Sequence, residues 1–457
     1  MENFNSYSLI FSFFVLFGVA ILMTIDKMKS FQRKKINYLK KEKQGEAHGI
    51  IFGRKGNRLV YSPETEEGHV GVFSASGTGK TSAIGIPTLR SWQGTSFTID
   101  ISGDICRNCS DMPHKLIYEP ESPKSIPYNI FGAIDDLSNT EDKYETLEQL
   151  AFLLMPETPN MNENAKFFLS NGRKILTASL IAFYGLGLDF IEICEKIISS
   201  SYQELFRAID ETQTKEAIMY INSFVGASEQ NTSGCKQSCD DSIKLFATNV
   251  KVKRSIRRPD TGEDAIEPKK IEKNNIFFVI GEDKLALYAP LMNIVTSQMM
   301  QYIGTREVKQ NSQTILLFLD EFGSLKLDAE LILDGVRRFR KRKCRIMPLM
   351  QNTVDMTILY GEETTRAILS NLRFKVLLGG LCETQSQKYF AELLGYKKIK
   401  KRSTSKSSKQ TTRTESEEKE WVIEPADLDR QGKDTLILLH PENTGYMFLK
   451  KNYYFKN

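Results

Sequence analysis

Several familiar features are missing from this sequence, and each absence narrows what the chain can be. It has no collagen-like or proline-rich bias, so fibrous and low-complexity classes are excluded. It lacks a strong charge of either sign: the formal net charge is +5, which permits contact with nucleic acid or anionic lipid but is no evidence for it. It also lacks a recurring cysteine spacing. The seven cysteines are Cys106, Cys109, Cys194, Cys235, Cys239, Cys344 and Cys382. Cys106/Cys109 and Cys235/Cys239 could in principle supply four zinc thiolates, but the pairs lie far apart without knuckle-like turns. Reduced cytosolic thiols are the expected reading.

What is present is a globular composition, 40% hydrophobic and 26% charged, over 457 residues. That length is too great for one ordinary core, so two folded units plus appendages are expected.

The first appendage is apolar. Leu9 to Ile25 reads LIFSFFVLFGVAILMTI without a charge. As a helix it would rise about 26 Å, at the short end of what crosses a bilayer. Glu2 is the only charge before it, whereas Lys27, Lys29, Arg33, Lys34, Lys35, Lys40, Lys41 and Lys43 follow. The basic side stays in the cytoplasm, so a single-pass anchor over 1–26 in the cytoplasmic (inner) membrane is expected. A basic juxtamembrane linker over 27–48 would follow, with the bulk of the chain inside. A cleaved signal peptide would need a basic leader and a small-residue cleavage site, and both are missing.

Beyond the linker, short apolar runs recur: HVGVF (69–73), SFTID (96–100), IFFVI (276–280), TILLFLD (314–320), RIMPLMQ (345–351), FKVLLGG (374–380), TLILLH (435–440) and YMFLKK (446–451). Continuous apolarity suits strands buried on both faces, so an α/β core with a mostly parallel sheet is expected. From about 135 to 250 the spacing is helical instead. That predicts an all-α insertion over 135–250 within a sheet domain made of 49–134 and 251–457. Residues 397–420 (KKIKKRSTSKSSKQTTRTESEEKE) are nearly devoid of apolar side chains. They read as a mobile surface loop, or, more sharply, as a basic finger that meets a phosphate backbone or a partner protein.

The chemistry is concentrated in Ser74–Thr81 (SASGTGKT). Gly77 and Gly79 let successive backbone N–H groups turn toward phosphates, and Ser74, Ala75, Ser76, Thr78 and Ser82 complete the cradle. Lys80 would meet the β- and γ-phosphates and the Thr81 hydroxyl would ligate Mg²⁺, which makes ATP and Mg²⁺ the expected ligands. The general pattern begins with glycine, and Ser74 stands in that place. A second element, ILLFLDEF (315–322), ends a buried strand in two acids. Asp320 is expected to hold Mg²⁺ and Glu321 to polarise the attacking water. Gln351, at the end of the RIMPLMQ run, is a candidate γ-phosphate sensor; a capping glutamine is the alternative. Arg337, Arg338, Arg340, Lys341, Arg342 and Lys343 precede that run. In ring-shaped motors an arginine reaches the neighbouring subunit's γ-phosphate, and Arg340 is the first choice for this role, Arg338 the second.

Taken in order, these motifs resemble the type IV secretion coupling proteins, the TraG/TraD family of conjugation ATPases within the RecA-like P-loop group. Besides the loop, GIPTLRSW (85–92), SFTIDISGD (96–104), LIYEPESPKSIPYNIF (116–131), LFLDEFGSL (317–325), MQNTVDMTILYG (350–361), NLRFKVLLGGLCETQSQKYFAELLG (371–395) and the closing KKNYYFKN carry the likeness. Ser102 stands where the family has lysine. Many relatives have two spans, and some have a long acidic tail. The resemblance implies a membrane-anchored homo-hexamer with an all-α domain inserted in a RecA-like one. It also implies ATP-driven delivery of a relaxase-bound single-stranded DNA, or of a protein, to the channel components of a type IV secretion system. Other readings are an FtsK/HerA-like DNA translocase and a cargo-docking receptor that uses nucleotide only as a switch.

Overall fold

The computed structural model describes residues 39–157, 161–407, 410–442 and 445–456. The expected anchor (1–26) and most of the linker lie outside the described residues. Among those residues no helix is long and apolar enough to cross a membrane.

Fourteen strands are described: β1 (Lys40–Glu42), β2 (Gly49–Lys55), β3 (Arg58–Pro63), β4 (His69–Phe73), β5 (Thr95–Asp100), β6 (Lys115–Tyr118), β7 (Asn275–Val279), β8 (Ile315–Leu319), β9 (Cys344–Met350), β10 (Leu372–Leu377), β11 (Tyr396–Ser407), β12 (Gln410–Trp421), β13 (Thr435–Leu439) and β14 (Tyr446–Lys450). Twelve of them form one sheet in the order β1-β3-β2-β14-β13-β10-β4-β9-β8-β5-β7-β6. From β10 to β6 every neighbour is parallel. From β10 back to β1 every neighbour is antiparallel.

The sequence pattern accounts for the division. Strands β4, β7, β8 and β9 are buried at every position, as continuous apolar runs require when helices cover both faces. Of the first three strands, β2 and β3 are also buried over most of their length, whereas β1 is mostly exposed. Residues 40–42, expected in a basic linker, instead pair with β3 through Lys40–Tyr61 and Glu42–Leu59. An edge strand exposed on one side tolerates lysine and glutamate, so apolar content alone does not reveal it.

The second difference concerns 397–420, expected as a mobile loop. These residues build most of a separate two-stranded antiparallel ribbon, β11 with β12, running in register from Tyr396–Trp421 to Ser407–Gln410. The Tyr396 and Trp421 rings stack at its base, 4.1 Å between centroids. Lys397–Glu420 and Lys401–Glu418 ion pairs link its strands. The basic first half and acidic second half are therefore cross-strand complements.

Between β6 and β7 the described long elements are helices, including Thr140–Leu154, Glu163–Gly185, Phe190–Ser199, Tyr202–Glu211 and Glu229–Thr248. Their starts are written locally. Asp189 with Glu192, and Ser201 with Glu204, form capping boxes, while Asn139, Asn162 and Ser228 accept from first-turn amides. Buried polar contacts tie the chain entering and leaving this region to the sheet side. Tyr118 Oη pairs with Ser255 Oγ at 3.0 Å, and Tyr128 Oη donates to Gln298 Oε1 at 2.9 Å.

Candidate nucleotide site

The loop 74–81 leaves the C-terminal end of β4, which lies between β10 and β9. Strand β9 in turn separates β4 from β8. Three neighbouring strand ends thus deliver the loop, Gln351 and the pair Asp320–Glu321 to one rim of the sheet. A cleft of about 530 Å³ opens there, lined by Ser76, Gly77, Gly79, Lys80, Thr81, Ser82, Asp320, Glu321 and Gln351 among others. A larger cleft, about 900 Å³, lies at the opposite ends of β5 and β7 against Thr95, His114 and Asn275, away from the phosphate loop.

Gly77 (φ +74°) and Gly79 (φ +104°) adopt the backbone that side chains disfavour. Ser74 is not among the positive-φ residues, which explains why serine serves where the general pattern has glycine. It is buried, its N–H donates to Met350 O at 3.1 Å, and its hydroxyl bonds both Ala75 O and Thr78 Oγ1. A π-helical turn, Lys80–Gly85, follows and runs into the helix Ile86–Ser91.

Lys80 is buried and makes two contacts. Its ammonium donates to Ser74 O at 3.3 Å and pairs with Glu321 Oε1 at 3.1 Å. The other carboxylate oxygen of Glu321 accepts from Gln351 Nε2 at 3.2 Å. Glu321 sits in the left-handed region (φ +44°, ψ +47°), a conformation that costs about 1 kcal/mol or more for such a residue and that clusters at functional sites.

Asp320 differs from its neighbour. It is 5% exposed, and its Oδ1 is buried with no hydrogen-bond partner. Burial, followed by the charges of Glu321 and Asp100, pushes its carboxyl up to about 7. An orphaned buried carboxylate oxygen beside a phosphate loop fits a divalent cation, which would supply the missing partner and offset the desolvation. Asp100 instead receives the amides of Gly103 and Cys106 at 2.9 and 2.7 Å. It caps the turn into the helix Asp104–Asn108, and burial raises its carboxyl. Ser102 and Asp104 line the cleft.

The arginines are not brought to this rim. Arg340 is exposed on the short helix Phe339–Arg342, just before β9 begins, and its charge bears on His69 at the start of β4. Both positions lie at the end of the sheet opposite the cleft. Arg338 pairs with Asp334 at 3.3 Å on an exposed face. Further residues at or beside the cleft were not picked out as site residues. Tyr454 lines the cleft, and Lys451 Nζ donates to Thr78 O at 2.8 Å. The closing KKNYYFKN run was the available signal.

A family model described as type IV secretory system conjugative DNA transfer matches residues 20–457. The chain belongs to that family. It is 22% identical over 375 residues to Protein VirD4 of Rhizobium rhizogenes, covering 79% of this chain and 54% of VirD4. The chain thus spans about half the length of that curated relative.

Among solved structures, the bacterial conjugative coupling protein TrwBdeltaN70 aligns with a TM-score of 0.70 at 18% identity, covering 89% of each chain. The plasmid coupling protein TrwB in complex with ADP and Mg²⁺ aligns at 0.68, with 18% identity over 90% of each. VirB4 of Thermoanaerobacter pseudethanolicus aligns at 0.51 and 13% identity, covering 90% of this chain and 98% of that one. At these identities the structural likeness establishes the fold: the α/β architecture with a mostly parallel central sheet is shared with TrwB.

Proposed function

We propose that this chain is an ATP-hydrolysing coupling protein that delivers a relaxase-bound single-stranded DNA, or a protein, to a type IV secretion channel. The observation that carries the reading is the convergence of Lys80, Asp320, Glu321 and Gln351 on one cleft at three adjacent strand ends. Family membership and the VirD4 likeness support the transport role, and TrwB's complex with ADP and Mg²⁺ supports the ligand.

In this reading the amides of 75–82 cradle the phosphates, and Lys80 leaves Glu321 for the β- and γ-phosphate oxygens. Thr81 and Asp320 would hold Mg²⁺, which would supply positive charge beside the phosphates. Glu321, freed from Lys80, accepts the proton of the attacking water as its oxygen bonds to the γ-phosphorus and the bond to the β-phosphate oxygen breaks. Gln351, already bonded to Glu321, orients that carboxylate and senses the γ-phosphate.

Arg340 cannot serve its own cleft from the opposite end of the sheet, which favours action in trans within a homo-hexamer, where it would stabilise the charge of the neighbour's transition state. We read 49–134 and 251–457 as the nucleotide-binding domain and 135–250 as an inserted all-α unit. The support is the run of helices between β6 and β7. The apolar run 9–25 would make the chain a single-pass protein of the cytoplasmic membrane.

The test is phosphate release by the full chain in detergent, with and without single-stranded DNA, at several salt concentrations. Stimulation that weakens with salt is expected when phosphate contacts dominate. Hydrolysis without any response to DNA would overturn the DNA-delivery reading, and absence of hydrolysis would leave only a nucleotide switch.

A further inference from the structure

The segment after β14 is packed against the phosphate loop at three points. Lys451 Nζ donates to Thr78 O, in the loop, at 2.8 Å. The Tyr454 N–H donates to Ser82 O at 3.0 Å. The Tyr453 ring lies so close to Gly79 that a Cβ there would sit 3.1 Å from its Cε1. The segment is itself anchored to the sheet: Asn452 Oδ1 accepts from Arg54 Nε at 2.7 Å, and the Lys451 N–H donates to Asp434 O at 2.8 Å.

The Tyr454 ring lines the same cleft as Lys80 and Asp320. The Arg90 guanidinium caps this ring at 5.2 Å from its centroid and is held in place by two hydrogen bonds to Asn108 O, at 3.0 and 2.6 Å. A tyrosine fixed by its own backbone amide and covered by a fastened arginine is a preorganised π surface.

Its place along the loop indicates what it meets. The β- and γ-phosphates belong at Lys80 and Thr81, so the α-phosphate lies toward Ser82 and the nucleoside extends beyond it. Tyr454 is bonded at Ser82. We propose that Tyr454 is the nucleobase platform of this site and that Lys451 is a positioning residue, bracing the loop through the Thr78 carbonyl. The inference rests on the nucleotide-site reading and adds to it where the base sits and what holds it.

The experiment compares binding of ATP and of inorganic tripolyphosphate to the full chain in detergent, for wild type, Tyr454→Ala, Tyr454→Phe and Lys451→Met. Removing a stacked aromatic weakens base binding by about tenfold. Tyr454→Ala is therefore expected to lose about tenfold in ATP affinity with tripolyphosphate affinity unchanged, while Tyr454→Phe keeps both. Lys451→Met is expected to weaken both ligands together, because it acts on the phosphate cradle.

Equal losses for the two ligands in Tyr454→Ala, or no loss for either, would overturn the platform. Loss for ATP alone in Lys451→Met would overturn the brace. If wild type binds neither ligand, the nucleotide site itself is refuted. If wild type binds both and Tyr454→Ala behaves as wild type, only the present inference falls.

Discussion

Lys80 and Glu321 hold each other across the cleft at 3.1 Å, the lysine 5% and the glutamate 28% exposed. Nucleotide phosphates must therefore displace a carboxylate before they gain the ammonium. Glu321→Gln removes that competitor while keeping the side chain's size. A charge pair at this separation is worth about 5 kcal/mol gross at an effective dielectric of ~20. Partial exposure, desolvation and screening leave a net value of about 1 kcal/mol. That corresponds to about fivefold in a dissociation constant.

Titration of Mg²⁺-free ATP against both proteins by calorimetry should thus show the variant binding about fivefold more tightly, with the gap narrowing as salt rises. With Glu321 in its proposed role as general base, the same substitution should slow phosphate release by about 10²–10⁴-fold. Weaker ATP binding by the variant, or hydrolysis at the wild-type rate, would refute the two-state exchange of Glu321 between lysine and water.

Other outcomes follow from the same geometry. Because burial holds Asp320 up to about 7, its carboxyl takes a proton as pH falls through 7, so Mg²⁺-dependent nucleotide binding should weaken about tenfold per pH unit below that point. The folded state then binds more protons than the unfolded one between about pH 4 and 7. Asp320 therefore lowers stability as pH rises, and Asp320→Asn should flatten this part of a denaturation-versus-pH curve and raise stability at pH 8.

Arg340→Ala should leave nucleotide binding intact and slow hydrolysis, while mixing with a Lys80→Ala variant restores some turnover at shared interfaces; failure of such mixtures would count against action in trans. Arg345 is buried and donates to Gly68 O at 2.8 Å and Pro63 O at 3.0 Å. Arg345→Met should destabilise by about 2–4 kcal/mol, read from urea unfolding, because those carbonyls lose their donor. Deleting 398–419 should barely move the melting temperature, since β11 and β12 pair only with each other; a large drop would mean the ribbon stabilises the body.

The sequence alone determined much of the parallel block and singled out residues that the fold gathers at its rim. Strands such as HVGVF and TILLFLD are apolar throughout because both faces are covered, so a local reading finds them. Glycines at Gly77 and Gly79, followed by Lys80 and Thr81, are demanded by phosphate geometry within a few residues. Helix starts such as Asp189–Glu192 are equally local.

Tertiary structure decided what depends on distant partners. Strands 40–42 and 115–118 exist through pairing across the sheet. The 397–420 stretch becomes a ribbon because each half carries the other's complement, a property invisible to hydropathy. Only the fold shows that Lys80 rests on Glu321, that Asp320 keeps an unpartnered oxygen, and that Arg340 stands at the far end of the strands. Only the fold, too, brings Lys451 and Tyr454 to a loop some 370 residues earlier in the chain. A contact at that separation leaves no periodic trace in the sequence, because chain spacing and spatial spacing are unrelated once a sheet orders its strands by pairing.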